Sequence, residues 1–391
     1  MSEYQYYEFQ AVDRPLNEKE LSALRALSTR ARITSTSFVN SYEWGDFKGN
    51  PAALMEKCFD AFLYLANWGA RKVMLRIPGP VFDLKLVSHY LGGRHASAKA
   101  KGENVVLEFW SDDESGGDWV DGDGWMPALI TVRADLIRGD LRALYLGWLL
   151  DVQAGGIEDD ALEPPVPAGL GELTGSLKSL ADFLRIDDDL IEVAAQGSAR
   201  LGAPADVKEL EAWVRDLPQA DKDSLLMRLL GGEERHLSAE LLRRFKRGRG
   251  GVSKFSDPPA KRRTAAALRS AAERLSEEKR RKAQELEAQE RKRRELQAAE
   301  NRAIYLDKLA QRESTVWRDV EGLVGSLRPL DYDRAVGLLV DLRDLAARKG
   351  QAEEFQDRLE GLREHCSKRP SLLRRLDKAG LKPSQCIMGG R

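Results

Sequence analysis

The sequence has few of the residues that carry metal-binding or nucleophilic chemistry, with three cysteines and four histidines among 391 residues. The cysteines (Cys58, Cys366 and Cys386) are too scattered for a disulfide framework, so they indicate a reducing compartment. No histidine or cysteine stands in the H-x-x-x-H or C-x-x-C spacing that is typical of metal sites. We therefore expect no metal ion and no other cofactor.

Long apolar runs are also missing from the sequence. None approaches the roughly 18 residues that a membrane-spanning helix needs, and the opening MSEYQYYEFQ lacks the basic and apolar regions of a signal peptide. Neither the glycine spacing of a nucleotide-binding loop nor a G-x-S-x-G nucleophile elbow appears. We therefore expect a cytoplasmic protein that is not an enzyme, with no membrane partner and no evident small-molecule substrate.

Aromatic residues are concentrated at the start of the chain, where 20 of the 28 lie within the first 150 positions. Large rings dominate core burial, so the best-packed domain should lie in this region. Residues 4–12, 72–77 and 105–110 have the composition of strands, and residues 33–42 predict one bent strand or a short hairpin.

Helix signals separate these predicted strands. Asn17 with Glu20 forms a capping pair, and Asn50, which precedes a proline, begins a second helix. Five apolar residues of the second helix should share one face: Met55, Cys58, Phe59, Phe62 and Ala66. A further helix over residues 135–153 should close the domain. The alternation of strands and helices predicts an α+β N-terminal domain over residues 1–163 and suggests a ferredoxin-like sandwich.

Composition divides the rest of the chain into five segments. They are a small helical subdomain (168–242), a basic flexible linker (243–263), a long charged helix (264–326), a helical-hairpin region (327–381) and a disordered tail (382–391). The long helix lacks a continuous apolar seam, so we expect a solvated rod, with weak coiled-coil pairing as the alternative. Gly350 separates two apolar stripes, which predicts an αα-hairpin.

Five phrases resemble an uncharacterised family of bacterial proteins. They are YYEFQAVDRPL (6–16), EWGDFKG (43–49), LYLANWGARKVMLRIP (63–78), RGDLRALYLGWLLDVQAG (138–155) and ALEPPVPAGLGEL (161–173). That family has no assigned activity or binding residues, so the resemblance implies a bacterial cytosolic origin and carries over no site. Residues 332–381 also look like the helical-hairpin tails of bacterial repeat proteins.

The basic linker is the first candidate binding element of the sequence. It contains nine cations: Arg243, Arg244, Lys246, Arg247, Arg249, Lys254, Lys261, Arg262 and Arg263. Flexible runs of this kind neutralise phosphates and bind nucleic acid in a salt-sensitive way, and Phe245 and Phe255 could stack on bases. An ordinary polar linker has the same composition, so both interpretations stay open.

An acidic loop around residues 108–123 is the second candidate element. Its acidic and aromatic members are Asp112, Asp113, Trp119, Asp121, Asp123 and Trp125. Tryptophans among carboxylates suggest docking onto a basic partner. Calcium binding is a second interpretation, although the EF-hand spacing is not met. A solvated acidic loop is the third interpretation. From these elements we expect a non-enzymatic adaptor or scaffold with a protein partner. A nucleic-acid-associated protein is the alternative function.

Overall fold

The computed structural model describes residues 4–82, 84–112, 120–201, 207–231, 237–248, 262–326 and 328–383. The chain divides into two compact parts, Met1–Lys279 and Arg280–Arg391, which we call the first unit and the second unit. The first contains a β-sheet with helices, and the second contains helices among its described residues. The predicted fold class, an α+β region followed by an all-α region, is confirmed.

One seven-stranded sheet forms the centre of the first unit. Its strands are β1 (Gln5–Gln10), β2 (Arg32–Ile33), β3 (Ser37–Tyr42), β4 (Ala61–Ala66), β5 (Arg71–Pro78), β6 (Ala96–Lys101) and β7 (Asn104–Ser111). They lie in the order β2-β3-β1-β4-β5-β7-β6, and each of these neighbouring pairs is antiparallel. A helix (Glu18–Leu27) joins β1 to β2, and another (Pro51–Lys57) joins β3 to β4, in each case past one intervening antiparallel strand. This β-α-β-β-α-β order with the spatial order β2-β3-β1-β4 is that of a ferredoxin-like unit, so the suggested topology is present in the first four strands, and β5, β7 and β6 extend the sheet.

Helices pack against both faces of this sheet. They are α1 (Glu18–Leu27), α2 (Pro51–Lys57), α3 (Leu84–Val87), α4 (Met126–Ile137), α5 (Arg142–Ala154), α6 (Gly175–Leu184) and α7 (Asp188–Ala195). Buried residues of α4 to α7 share a core with Leu63 and Leu75. On the opposite face, Met55 of α2 packs in a second core with Phe9 and Phe62. The central strands are therefore buried on both sides.

Several local predictions are confirmed. The Asn17 side chain accepts a hydrogen bond from the backbone N–H of Glu20, and the Glu20 carboxylate accepts one from the N–H of Asn17, at 3.0 and 2.8 Å. Asn50 caps α2 by accepting from the N–H of Ala53. Residues 32–42 form a hairpin of β2 and β3, the second of the two alternatives. Each signal depends on residues close in sequence, which is why it could be identified without the fold.

Two predicted helices are wrong in their extent. The apolar run that begins at Met55 was expected on one helix face, but α2 ends at Lys57 and the run continues as β4. Because β4 is buried on both faces, its residues show no alternation, and such a run cannot be told from a buried helix by periodicity. The helix predicted over residues 135–153 is divided into α4 and α5 at Gly139, which adopts a φ of 88°.

The predicted helical subdomain is divided between two environments. Helices α6 and α7 join the core of the sheet, whereas α8 (Val207–Asp216), α9 (Gln219–Gly231) and α10 (Leu237–Gly248) follow as short helices. Trp213 of α8 packs edge-on against Phe245 of α10, with ring centroids 5.6 Å apart. Because α10 extends to Gly248, residues 243–248 of the expected flexible linker are helical. Residues 249–261 of that linker lie outside the described residues.

The long helix α11 (Ala265–Ala310) begins inside the core of the first unit. Ala265, Leu268 and Ala272 are buried there, and Lys279 contacts Asp189 and Glu192 of α7 at 2.5 and 2.6 Å. The sequence had indicated a solvated rod from residue 264 onward. All residues of 276–301 are exposed, so that prediction describes the middle of the helix but not its start.

The second unit has its own apolar core. Its helices are the end of α11 together with α12 (Glu313–Gly325), α13 (Pro329–Lys349), α14 (Ala352–His365) and α15 (Pro370–Lys378). Buried residues from each of them meet, among them Leu309, Val320, Leu339, Leu359 and Leu376. The predicted hairpin of α13 and α14 is confirmed, with Gly350 at its turn in the left-handed region (φ 71°). The helix predicted over residues 264–326 is two helices, because α11 ends at Ala310.

Candidate partner-binding surfaces

The structure places the nine basic candidates in different environments. Arg244 pairs with Glu240 one turn earlier on α10, at 2.8 Å. Arg263 pairs with Glu163 through two hydrogen bonds of 2.8 and 2.6 Å, and Arg262 is exposed. Outside the described residues lie the side chains of Arg243, Lys246 and Arg247 and the whole of Arg249, Lys254 and Lys261.

Arg263 fastens the start of α11 to the first unit. Its guanidinium also donates to the carbonyls of Val193 and Ala194 at the end of α7, at 2.8 and 3.1 Å. Glu163 is 5% exposed and accepts a further hydrogen bond from the hydroxyl of the buried Tyr145, whose pKa is raised by burial and by this carboxylate. Most donors of Arg263 are thus used within the fold and not offered to phosphates.

The acidic loop is only partly described, since Asp113 and Trp119 lie outside the described residues. Asp112 follows β7 and is exposed. Asp121 accepts hydrogen bonds from the hydroxyl of Tyr4 at 3.3 Å and from the backbone N–H of Asp123 at 3.2 Å. The Trp125 indole donates to the carbonyl of Asp121, and its ring packs edge-on against Phe183 of α6. Trp125 is therefore anchored in the first unit.

Two other tryptophans form an exposed surface that the sequence reasoning missed. Trp44, in the loop after β3, is 75% exposed, and Trp68, in the turn between β4 and β5, is 43% exposed. Gln5, at the start of β1, pairs with the last residue of β3 and with the last residue of β4, so both loops lie at one edge of the sheet. We call this edge the tryptophan edge. Each Trp-Gly pair signalled a turn, but only the strand register brings the two turns together.

Helix α9 exposes an unusual number of apolar side chains. Leu226, Met227, Leu229 and Leu230 are between 56% and 80% exposed within little more than one turn. Scattered exposed apolar residues are ordinary, but a contiguous group is typical of a protein-binding surface. Leu225, which directly precedes them, is buried.

A groove of about 420 Å³ lies between α12 and α14 in the second unit. Its floor is the buried ring of Trp317, and the Arg358 guanidinium lies over that ring, 4.2 Å from the centroid. Arg369 donates to the carbonyl of Val324 at 2.6 Å. The other lining residues are Glu321, Gly325, Gly361, Leu362 and His365. The volume falls within the range of about 300–1,000 Å³ found for ligand pockets.

Gly361 lies in the interior of α14, where glycine costs about 0.5–1 kcal/mol relative to alanine. An added Cβ would meet no atom within 4 Å. We therefore expect Gly361→Ala to raise the unfolding free energy of the second unit by about 0.5–1 kcal/mol, measured by urea denaturation with helical circular dichroism. Gly350→Ala is the matched control. It should destabilise, because φ at Gly350 is 71°, and a loss of stability in both variants would contradict the argument.

Asp151 is a buried carboxylate that serves the fold of the first unit. It accepts hydrogen bonds from the backbone N–H groups of His95 and Ala96, at 2.7 and 3.1 Å, and so joins α5 to the start of β6. The Nδ1 atom of His95 lies 3.3 Å from the carboxylate without a well-aligned hydrogen bond. Burial raises the pKa of Asp151, and these donors oppose that shift. A Cβ at Gly93 or Gly156 would lie 2.2 Å from this carboxylate, so the chain encloses it tightly.

Cys58 is buried, and burial raises its pKa to about 11. At pH 8 only about 0.1% of this thiol should be ionised, against roughly 25% for an ordinary cysteine. We expect iodoacetamide to modify Cys58 at least about 100-fold more slowly in the native protein than in urea, as followed by mass spectrometry of the peptide. Equal rates in the two conditions would show an accessible thiol instead. Cys366 is also buried, with burial raising its pKa.

Comparisons of the chain with protein-family models, curated proteins and solved structures gave no match. In the part of the chain that the structure describes, no three His, Cys, Asp or Glu side chains are grouped as metal ligands would be. Within the same ranges, no helix has both the length and the apolar character needed to cross a membrane. The surfaces that remain as candidates for a binding function are the tryptophan edge, the exposed face of α9 and the groove.

Proposed function

We propose that this protein is a non-enzymatic adaptor that assembles partner proteins in the bacterial cytosol. The observation that carries the proposal is the organisation of α11. The helix begins in one apolar core, at Leu268, and ends in another, at Leu309, and residues 276–301 between them are all exposed. A solvated helix that joins two separately packed units suits a protein whose units bind different partners.

The chemistry of the exposed surfaces supports protein partners. Trp44 and Trp68 offer large amphipathic rings, and tryptophan is enriched among the residues that dominate binding energy at interfaces. Met227 and its neighbours on α9 add an apolar surface, and methionine is also enriched at interfaces. Both surfaces belong to the first unit, and the groove belongs to the second.

The test is affinity purification of the tagged full-length chain from its native host, with and without nuclease. We expect at least one stoichiometric protein partner that survives nuclease. Replacing Trp44 and Trp68 by alanine, or Leu226 and Leu230 by serine, should remove a partner of the first unit and leave the others. Leu286→Ser is the matched control, because Leu286 is 59% exposed on α11 outside these surfaces. Absence of any nuclease-resistant partner would contradict the adaptor function.

Association with nucleic acid is the second candidate function. Two runs of four cations, at residues 279–282 and 291–294, are exposed on α11. Several of these cations face glutamates one turn away, as in Arg291–Glu295 at 3.2 Å and Arg294–Glu290 at 3.4 Å, which reduces the charge available to phosphates. Nucleic acid that elutes with moderate salt, together with partners lost after nuclease, would favour this function.

A further inference from the structure

We propose that the groove between α12 and α14 binds an acidic segment of a partner protein. The inference rests on the adaptor function and names the chemistry of one partner. Arg358 and Arg369 line the groove beside His365, whereas Glu321 is the one acid among the lining residues. Carboxylate side chains complement this charge distribution.

The Arg358 side chain is positioned to bind a carboxylate. Its guanidinium carbon lies 4.2 Å from the centroid of the Trp317 ring, and its N–H groups donate to no acceptor among the described residues, so they are available for a bidentate contact. In the described part of the chain, no carboxylate lies within ion-pair distance of Arg358 or Arg369. Other arginines of the same unit have such partners, for example Arg302 with Asp341 at 2.5 Å.

Trp317 offers a further donor in the same groove. The residue is 4% exposed, yet its indole N–H donates to no acceptor among the described residues. The indole nitrogen is not among the fully buried polar atoms that lack a partner in the described residues, so it is accessible to solvent and available to an oxygen atom of a ligand that enters the groove.

Two glycines favour a peptide over a small anion as the ligand. Gly325 ends α12 and Gly361 lies within α14, and both line the groove. Neither has a positive φ, and a Cβ at either would meet no atom within 4 Å. Backbone conformation and packing therefore do not require glycine at either position. Glycine also permits the close approach of another backbone, which a bound peptide would make.

Isothermal titration of the full-length protein tests the proposal at physiological ionic strength. The probes are an acetylated and amidated hexaglutamate peptide, the hexaglutamine peptide of equal length, and inorganic phosphate. We expect the glutamate peptide to bind at least tenfold more tightly than the glutamine peptide. Arg358→Ala should weaken its binding at least tenfold, and Arg358→Lys should weaken it less, because lysine keeps the charge but loses the planar fork.

Two further variants make the result specific to the groove. Gly361→Ala should weaken peptide binding severalfold while the unfolding midpoint of the second unit rises, so a folding defect cannot explain the loss. Arg334→Ala, which removes an exposed arginine outside the groove, should leave the affinity unchanged. Equal binding of the two peptides, unchanged affinity in Arg358→Ala, or displacement of the peptide by an equal concentration of phosphate would overturn the proposal.

The two functional proposals fail in different ways. If the groove variants bind the glutamate peptide like the wild type while host proteins still co-purify after nuclease, the groove proposal alone is overturned. If the peptide binds as expected and no host protein co-purifies, the adaptor function is overturned and the groove remains a carboxylate-binding site.

Discussion

Replacing Asp60 by asparagine should lower the unfolding free energy of the first unit by about 3–5 kcal/mol. The carboxylate is completely buried, and one of its oxygens accepts the backbone N–H groups of Val12 and Asp13 at 2.7 and 2.8 Å. The other accepts two hydrogen bonds from the Arg76 guanidinium, at 3.1 and 2.7 Å. Asparagine removes the charge opposite the buried arginine and turns an NH2 group toward donors, so at least one donor loses its acceptor.

Tryptophan fluorescence during urea denaturation measures this effect, because seven of the eight tryptophans belong to the first unit. Glu56→Gln is the matched control, since it makes the same chemical change in a half-exposed ion pair with Lys101. Exposed pairs contribute less than about 1 kcal/mol. Similar losses in the two variants would contradict a special role for the buried Asp60 network.

Replacing Leu268 by alanine should destabilise the first unit by about 2–5 kcal/mol. Leu268 lies on α11, in a part of the sequence that reads as a charged solvated helix, yet its side chain is completely buried in the core of the sheet. The substitution removes apolar contacts and leaves a cavity, while alanine itself is a good helix former. The loss should therefore come from tertiary packing and not from the helix.

The control for Leu268 is on the same helix. Leu286 is 59% exposed, so Leu286→Ala should change the unfolding free energy by no more than about 0.5 kcal/mol. Urea denaturation followed by tryptophan fluorescence compares the two variants directly. Equal stability of both would mean that the start of α11 does not belong to the core of the first unit, and the boundary between the units would have to be placed earlier in the chain.

Each end of α11 is held in a packed core. The ion pairs of Arg263 and Lys279 and the burial of Leu268 fix the first turns of α11 to the sheet domain. Leu306 and Leu309 place the end of the helix in the second core. Each unit therefore includes one end of the helix, so a variant that loosens either end should impair assembly without altering a binding surface.

The sequence by itself determined the features that depend on neighbouring residues. Asn17 and Asn50 cap their helices, Gly350 turns the C-terminal hairpin, and the concentration of rings located the sheet domain. These features were predictable because a cap or a left-handed turn is decided within a few residues. The α+β and all-α division followed from composition and periodicity on the same local scale.

The tertiary structure alone decided the rest. Phe62 lies in β4, which pairs with β1 and β5, and both faces of this strand are covered, so its apolar residues show no alternation. Arg263 is a fastening residue because Glu163, a hundred positions away, is folded beside it. Trp44 and Trp68 share an edge only through strand register, and Arg358 meets Trp317 only when α14 packs beside α12. Each of these depends on contacts between residues far apart in the chain, which no local pattern records.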